Sequence, residues 1–178
     1  MSAVGTAEDL HASASRITGL SDFGPDDYTD GLGVLLESYA RDAELTPALA
    51  ESTGSVVMIN SMVVRYSQRR MGPYKLAKAA LLAMAQSLAT ELGPQGIRVN
   101  SVAPGHIWGD SLKWYFGYQA HKRGVDIQEI YDETAAGIDL GRLPEPDEIA
   151  DAVVFLASPL ARAITGQCLD VNCGEYHH

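Results

Sequence analysis

Three short strand-like runs, Ser55-Val-Val-Met-Ile-Asn60, Ile97-Arg-Val-Asn-Ser-Val-Ala103 and Gln167-Cys-Leu-Asp-Val-Asn172, alternate with helical patterns. This alternation constrains the fold more than any other feature of the chain. The first run is continuously apolar and lacks the in-out rhythm of a strand with one wet face, which is the signature of a parallel strand covered on both sides. The Ala/Leu-rich stretch 73–92 and the stretch 147–156 supply the helices between the runs. The expectation is an α/β fold: a parallel sheet from strands near 55–60, 97–102 and 167–171, covered by helices at 74–92 and 147–157.

The first 46 residues have a different texture, with no convincing strand. Helices are expected at 6–17 and 25–43, the second opened by Pro25 with Asp26 and Asp27 in its first turn, where the macrodipole favours acids. Leu32, Leu35, Leu36 and Tyr39 give that helix one apolar face, and it is expected to replace the crossover helix leading into the 55–60 strand. The chain therefore divides into a helical N-terminal arm, 1–46, and an α/β unit, 47–178. Nine acids and two bases fall in residues 1–50, and the whole chain of 178 residues carries a net charge of −10. Such a molecule repels phosphate backbones and anionic lipid, so nucleic acid and membrane surfaces are poor partners. No apolar run is long enough for a signal peptide or a membrane span, and a cytoplasmic location is expected. Cys168 and Cys173 read as two free thiols.

Ser61 ends the first strand, Tyr74 follows 13 residues later, and Lys78 lies four residues beyond Tyr74. On a helix that last spacing puts phenol and ammonium on one face, about a turn apart. A nearby ammonium stabilises a phenolate and draws the tyrosine pKa down towards the range useful for exchanging a proton with an alcohol or carbonyl.

The stretch GSVVMINSMVVRYSQRRMGPYKLAKAALLAMAQSLATELGPQGIRVNSVAPG, residues 54–105, resembles the short-chain dehydrogenase/reductase family. The strand ending at Ser61, the Tyr-x-x-x-Lys of Tyr74 and Lys78, the helix with LATELGPQGIRVN and the strand running into Pro104-Gly105 carry the likeness, at the family's spacings. The tail GRLPEPDEIADAVVFLASPLARAITGQCLDVNCG, residues 141–174, is similar to the family's closing helix and strand. The resemblance implies a Rossmann-like fold and hydride transfer between NAD or NADP and a small alcohol or ketone. It implies that Ser61 binds the substrate oxygen, that Tyr74 is the acid/base, and that Lys78 lowers its pKa while holding the nicotinamide ribose. Pro104, Gly105 and Ile107 would lie beside the nicotinamide. Where the family often has a threonine that holds the carboxamide, this chain has Gly109 or Asp110.

Five of the 13 aromatic residues, Trp108, Trp114, Tyr115, Phe116 and Tyr118, fall within 11 positions. In the family this region is the substrate lid, so Trp108, Trp114 and Tyr115 are expected to bind a bulky apolar substrate, the alternative being that the rings pack the loop onto its own domain. Residues 1–53 contain no TGxxxGxG turn of the kind that holds dinucleotide phosphates, and Thr18-Gly-Leu-Ser-Asp-Phe-Gly24 reads as an ordinary turn. The sheet is thus expected to lack its first, nucleotide-binding half, with weak or no autonomous activity. Residues 1–46 are instead similar to the N-terminal arm of bacterial sulfotransferase-like proteins, which makes the chain read as a chimera and leaves sulfuryl transfer as an alternative activity. An exposed apolar edge on the 55–60 strand favours marginal stability or oligomerisation, and the resemblance implies pairing with a full-length family subunit through the helix at 74–92, which in the family contributes to a dimer interface. No metal site is expected from Cys168, Cys173, His177 and His178, and Arg65, Arg69 and Arg70 read as a solvated loop.

Overall fold

The computed structural model describes residues 46–67, 69 and 71–177. The expected helices at 6–17 and 25–43 and the turn at 18–24 lie outside them. After a helical stretch at 46–51 the chain runs β1 (Ser55–Ile59), α1 (Gly72–Leu92), β2 (Arg98–Pro104), α2 (Asp110–Arg123), α3 (Ile127–Ala135), α4 (Pro146–Ala157) and β3 (Cys168–Val171).

The three strands form one parallel sheet in the order β1-β2-β3, with Ile59 opposite Val102 and Ala103 opposite Asp170. Its two faces divide the apolar side chains by parity. Val56, Met58 and Val99 pack under α1, which buries Ala85, Leu88, Ala89 and Leu92, a helical stripe at spacings of three, one and three. Val57, Val102 and Val171 pack on the other face against Ile149 and Leu156 of α4. A doubly covered parallel sheet is what the run-like strands predict. Ile59 is 49% exposed at the outer edge of β1.

The stretch expected as a lid loop is instead helical. α2 ends at Gly124, whose φ of 69° admits the left-handed turn, and α3 starts from a capping box of Asp126 and Glu129. Phe116 and Ala120 of α2 bury against Ile130 and Ala135 of α3, together with Ile138 and Leu143. An exposed Arg123–Glu133 pair joins the same two helices. The reason α2 escapes a sequence reading is local: Gly109 caps it without a side-chain hydrogen bond, and its aromatic residues are spread around the helix.

Candidate active site

The site forms at the carboxyl ends of β1 and β2, where parallel strands leave loop residues over the sheet. Asn60 extends the ladder by donating its N–H to Val102 O at 2.7 Å, and its Oδ1 accepts the Ser61 N–H at 2.9 Å. Ser61 thereby leaves the strand in a fixed direction, and its Oγ accepts the Val63 N–H at 3.3 Å to start a turn of 3-10 helix. The amide nitrogen of buried Asn60 has no partner among the described residues.

Tyr74 stands in the first turn of α1 and lines the same cavity as Ser61. Lys78, one turn on, donates to Ile59 O at 2.9 Å and lies 5.8 Å from the Tyr74 ring centroid. Lys78 thereby pins the helix to the end of β1. Burial pushes the Tyr74 phenol above its ordinary value, and the nearby Ser61 hydroxyl pulls the other way with less effect. Burial also pushes the Lys78 ammonium down. This corrects the expectation that Lys78 sets a low Tyr74 pKa: the ammonium is committed to Ile59 O, and desolvation of the phenol dominates. The site thus holds a protonated phenol, an acid ready to give its proton.

Ser61 and Tyr74 open on a cavity of about 870 Å³. Gly105, Ile107, Asp110, Trp114 and Tyr115 line it with them, whereas Pro104, Lys78 and Trp108 do not. Of the five clustered aromatics, Trp108 and Phe116 turn inward, Trp108 meeting the Tyr131 ring edge-on at 4.7 Å and the Phe116 ring at 5.6 Å. Trp114 is 72% exposed and stacks on Tyr118. The packing reading therefore holds for Trp108 and Phe116, while Trp114 and Tyr115 line the cavity.

Sequence reasoning missed several residues of this neighbourhood. Arg65 is not solvated: its guanidinium donates to Asp170 and to Cys168 O, with both charged side chains largely buried. A single arginine in a basic stretch gives no sign of a carboxylate 105 positions away. Tyr66 lines the cavity, its ring 5.6 Å from that of Tyr176. His106 also lines the cavity, and its Nδ1 contacts the carboxylate of Glu175. Its position directly after Pro104-Gly105 was the available signal. Cys168 and Cys173 are free, His177 pairs with Asp139, and no cluster of metal ligands occurs among the described residues.

The donor set fits the nicotinamide ribose end of a dinucleotide. An ammonium has three N–H donors, and Lys78 gives one to Ile59 O, which leaves two for the hydroxyls of a ligand.

Residues 10–176 match the family profile described as enoyl-(acyl carrier protein) reductase. The chain belongs to the short-chain dehydrogenase/reductase family. It is 36% identical over 134 residues to 3-oxoacyl-(acyl-carrier-protein) reductase FabG of Vibrio harveyi, covering 75% of this chain and 50% of that protein. To the L-rhamnose 1-dehydrogenase (NAD(P)(+)) of Azotobacter vinelandii it is 36% identical over 123 residues, covering 69% and 44%. A 7α-hydroxysteroid dehydrogenase solved with NADH and 7-oxo glycochenodeoxycholic acid superposes with a TM-score of 0.71 at 30% identity, over 86% of this chain and 57% of that one. The chain spans about half the length of the curated relatives it matches. The family match begins at residue 10 and so takes in most of the segment that resembles a sulfotransferase arm. Among the described residues, no helix is long and apolar enough to cross a membrane.

Proposed function

We propose that this short-chain dehydrogenase/reductase transfers hydride between a nicotinamide cofactor and a small alcohol or ketone, with Tyr74 as acid/base. The observation that carries this reading is that Ser61 and Tyr74 line one cavity, with Lys78 one helical turn behind Tyr74. Ser61 offers its hydroxyl to a substrate oxygen, and the Tyr74 phenol delivers a proton to that oxygen as charge develops on it. Lys78 would hold ribose hydroxyls with its two remaining N–H groups, and Gly105 and Ile107 would face the nicotinamide. NAD or NADP, when bound, supplies or takes the hydride. Met62, Val63, Met71, Leu112 and Trp114 make the cavity wall apolar, which suits a bulky apolar substrate.

The reading includes weak turnover by this chain alone, because its sequence has no TGxxxGxG turn for the dinucleotide phosphates and hydride transfer depends on close positioning of the cofactor. Pairing with a second copy or a full-length family subunit is the companion reading, favoured by Ile59 and Leu76, apolar residues each 49% exposed. A cytoplasmic setting goes with both readings. Titration with NADH and NADPH, followed by quenching of Trp108 and Trp114, tests the proposal. Saturable binding and a ketone-dependent rate that Tyr74→Phe lowers by about 10²–10⁴ support it. No binding up to millimolar cofactor, or a rate unaffected by Tyr74→Phe, overturns it.

A further inference from the structure

The cavity has a second polar wall that the proposed chemistry leaves unused. Glu175, in the loop after β3, turns a carboxylate that is 13% exposed onto the loop after β2. One of its oxygens accepts the backbone N–H of His106 at 3.0 Å, and the other contacts His106 Nδ1. Gly105 makes that approach possible, because a Cβ there would lie 2.5 Å from Glu175 Oε2. With Nδ1 against a carboxylate, Nε2 is the ring nitrogen left for a ligand, an acceptor in the tautomer whose proton sits on Nδ1.

Tyr66 stands on the same wall, braced by the Tyr176 ring. Burial, Glu175 and Tyr74 all push its phenol above the ordinary value, so it remains an O–H donor. In that tautomer the cavity lining holds one acceptor and one donor besides Tyr74, the group that handles the reacting oxygen. A hydroxyl, which both donates and accepts, complements that pair; a carbonyl could use only the Tyr66 donor. An anion would meet Asp110 in the lining, with the Glu175 carboxylate behind His106.

We propose that His106 and Tyr66, held by Glu175, anchor a neutral hydroxyl carried by an otherwise apolar substrate, separate from the oxygen that reacts at Tyr74. The assignment rests on the cavity being the substrate pocket. It makes His106 and Tyr66 specificity-determining residues, since a site built to bond a hydroxyl discriminates against the analogue that lacks it.

The test compares 1-tetralone with its 5-, 6- and 7-hydroxy derivatives as probes, binding to the whole chain being measured by ligand-observed NMR with and without NADH. At least one hydroxytetralone is expected to bind about tenfold more tightly than 1-tetralone, the worth of one well-made hydrogen bond. Tyr66→Phe keeps the ring against Tyr176 and should remove most of that preference, as should His106→Phe, while binding of 1-tetralone itself stays within about twofold, as a lost hydroxyl bond alone requires. If 1-tetralone binds as well as every hydroxy derivative, or if the preference survives both variants, the anchor is overturned while the pocket stands. Failure of all four probes to bind overturns the substrate-pocket reading and the anchor with it.

Discussion

Arg65 reaches across the sheet to Asp170, its Nε and one terminal nitrogen 3.2 and 3.1 Å from the same carboxylate oxygen. The terminal nitrogen also donates to Cys168 O at 3.2 Å. This one side chain ties the loop that follows Ser61 to the farthest strand of the sheet. Removing it takes the bonded guanidinium from a carboxylate that is 13% exposed, and Arg65→Ala is expected to destabilise the fold by about 1–3 kcal/mol, less than a fully buried pair would cost. Denaturant midpoints check the value, and a double-mutant cycle with Asp170→Asn separates the coupling from the loss of packing.

The pH dependence of turnover should follow the direction of the Tyr74 shift. A phenol held above its ordinary value of 10.0 stays protonated through neutral pH, so carbonyl reduction, which consumes that proton, should not fall as pH rises to about 10. Alcohol oxidation needs the phenolate and should climb with pH over the same range. Rates measured in both directions across that range decide it; an oxidation rate that levels off near pH 7 would mean a much lower Tyr74 pKa than burial dictates.

Gly105→Ala should be costly. The new methyl would lie 2.5 Å from Glu175 Oε2 and 2.8 Å from Asn172 Cβ, so either the loop after β3 or the loop after β2 must move. A loss of about 1–3 kcal/mol is expected, typical of overpacking. Thermal unfolding of the variant, with Gly117→Ala as a control where nothing lies within 4 Å, gives the comparison.

In the core, Leu88 is 3% exposed beneath α1, whereas Leu160 is 75% exposed. Leu88→Ala should lower stability by about 2–5 kcal/mol through lost burial and the cavity left behind. Leu160→Ala should change it by no more than about 0.5 kcal/mol, measured in the same denaturant series.

What could be read from the sequence is what depends on neighbours in the chain. β1 and α1 appear within a residue or two of their expected bounds, since a doubly covered strand and an Ala/Leu helix opened by Pro73 leave strong local patterns. Ser61, Tyr74 and Lys78 were legible for the same reason, being linked by one strand end and one helix. α2 was not, because its aromatic residues serve two environments, Phe116 the interior and Trp114 the cavity rim. The partners of Arg65 and His106 were invisible, for both are contacts between distant segments that only the sheet order brings together. The direction of the Tyr74 shift was misread from spacing, which gives the distance to a charge but not the burial that outweighs it.

The loop after β3 backs two residues of the cavity lining, Glu175 behind His106 and Tyr176 behind Tyr66, and this sets an order of assembly. Glu175 meets His106 across 69 residues, and Arg65 meets Asp170 across 105. Contacts of such length form only after the intervening chain has collapsed, so they come late in folding and open early under strain. During synthesis Ser61, Tyr74 and Lys78 are already joined by local structure while the polar wall is still missing. A nascent or nicked chain without β3 would keep its acid and lose its means of choosing what to protonate.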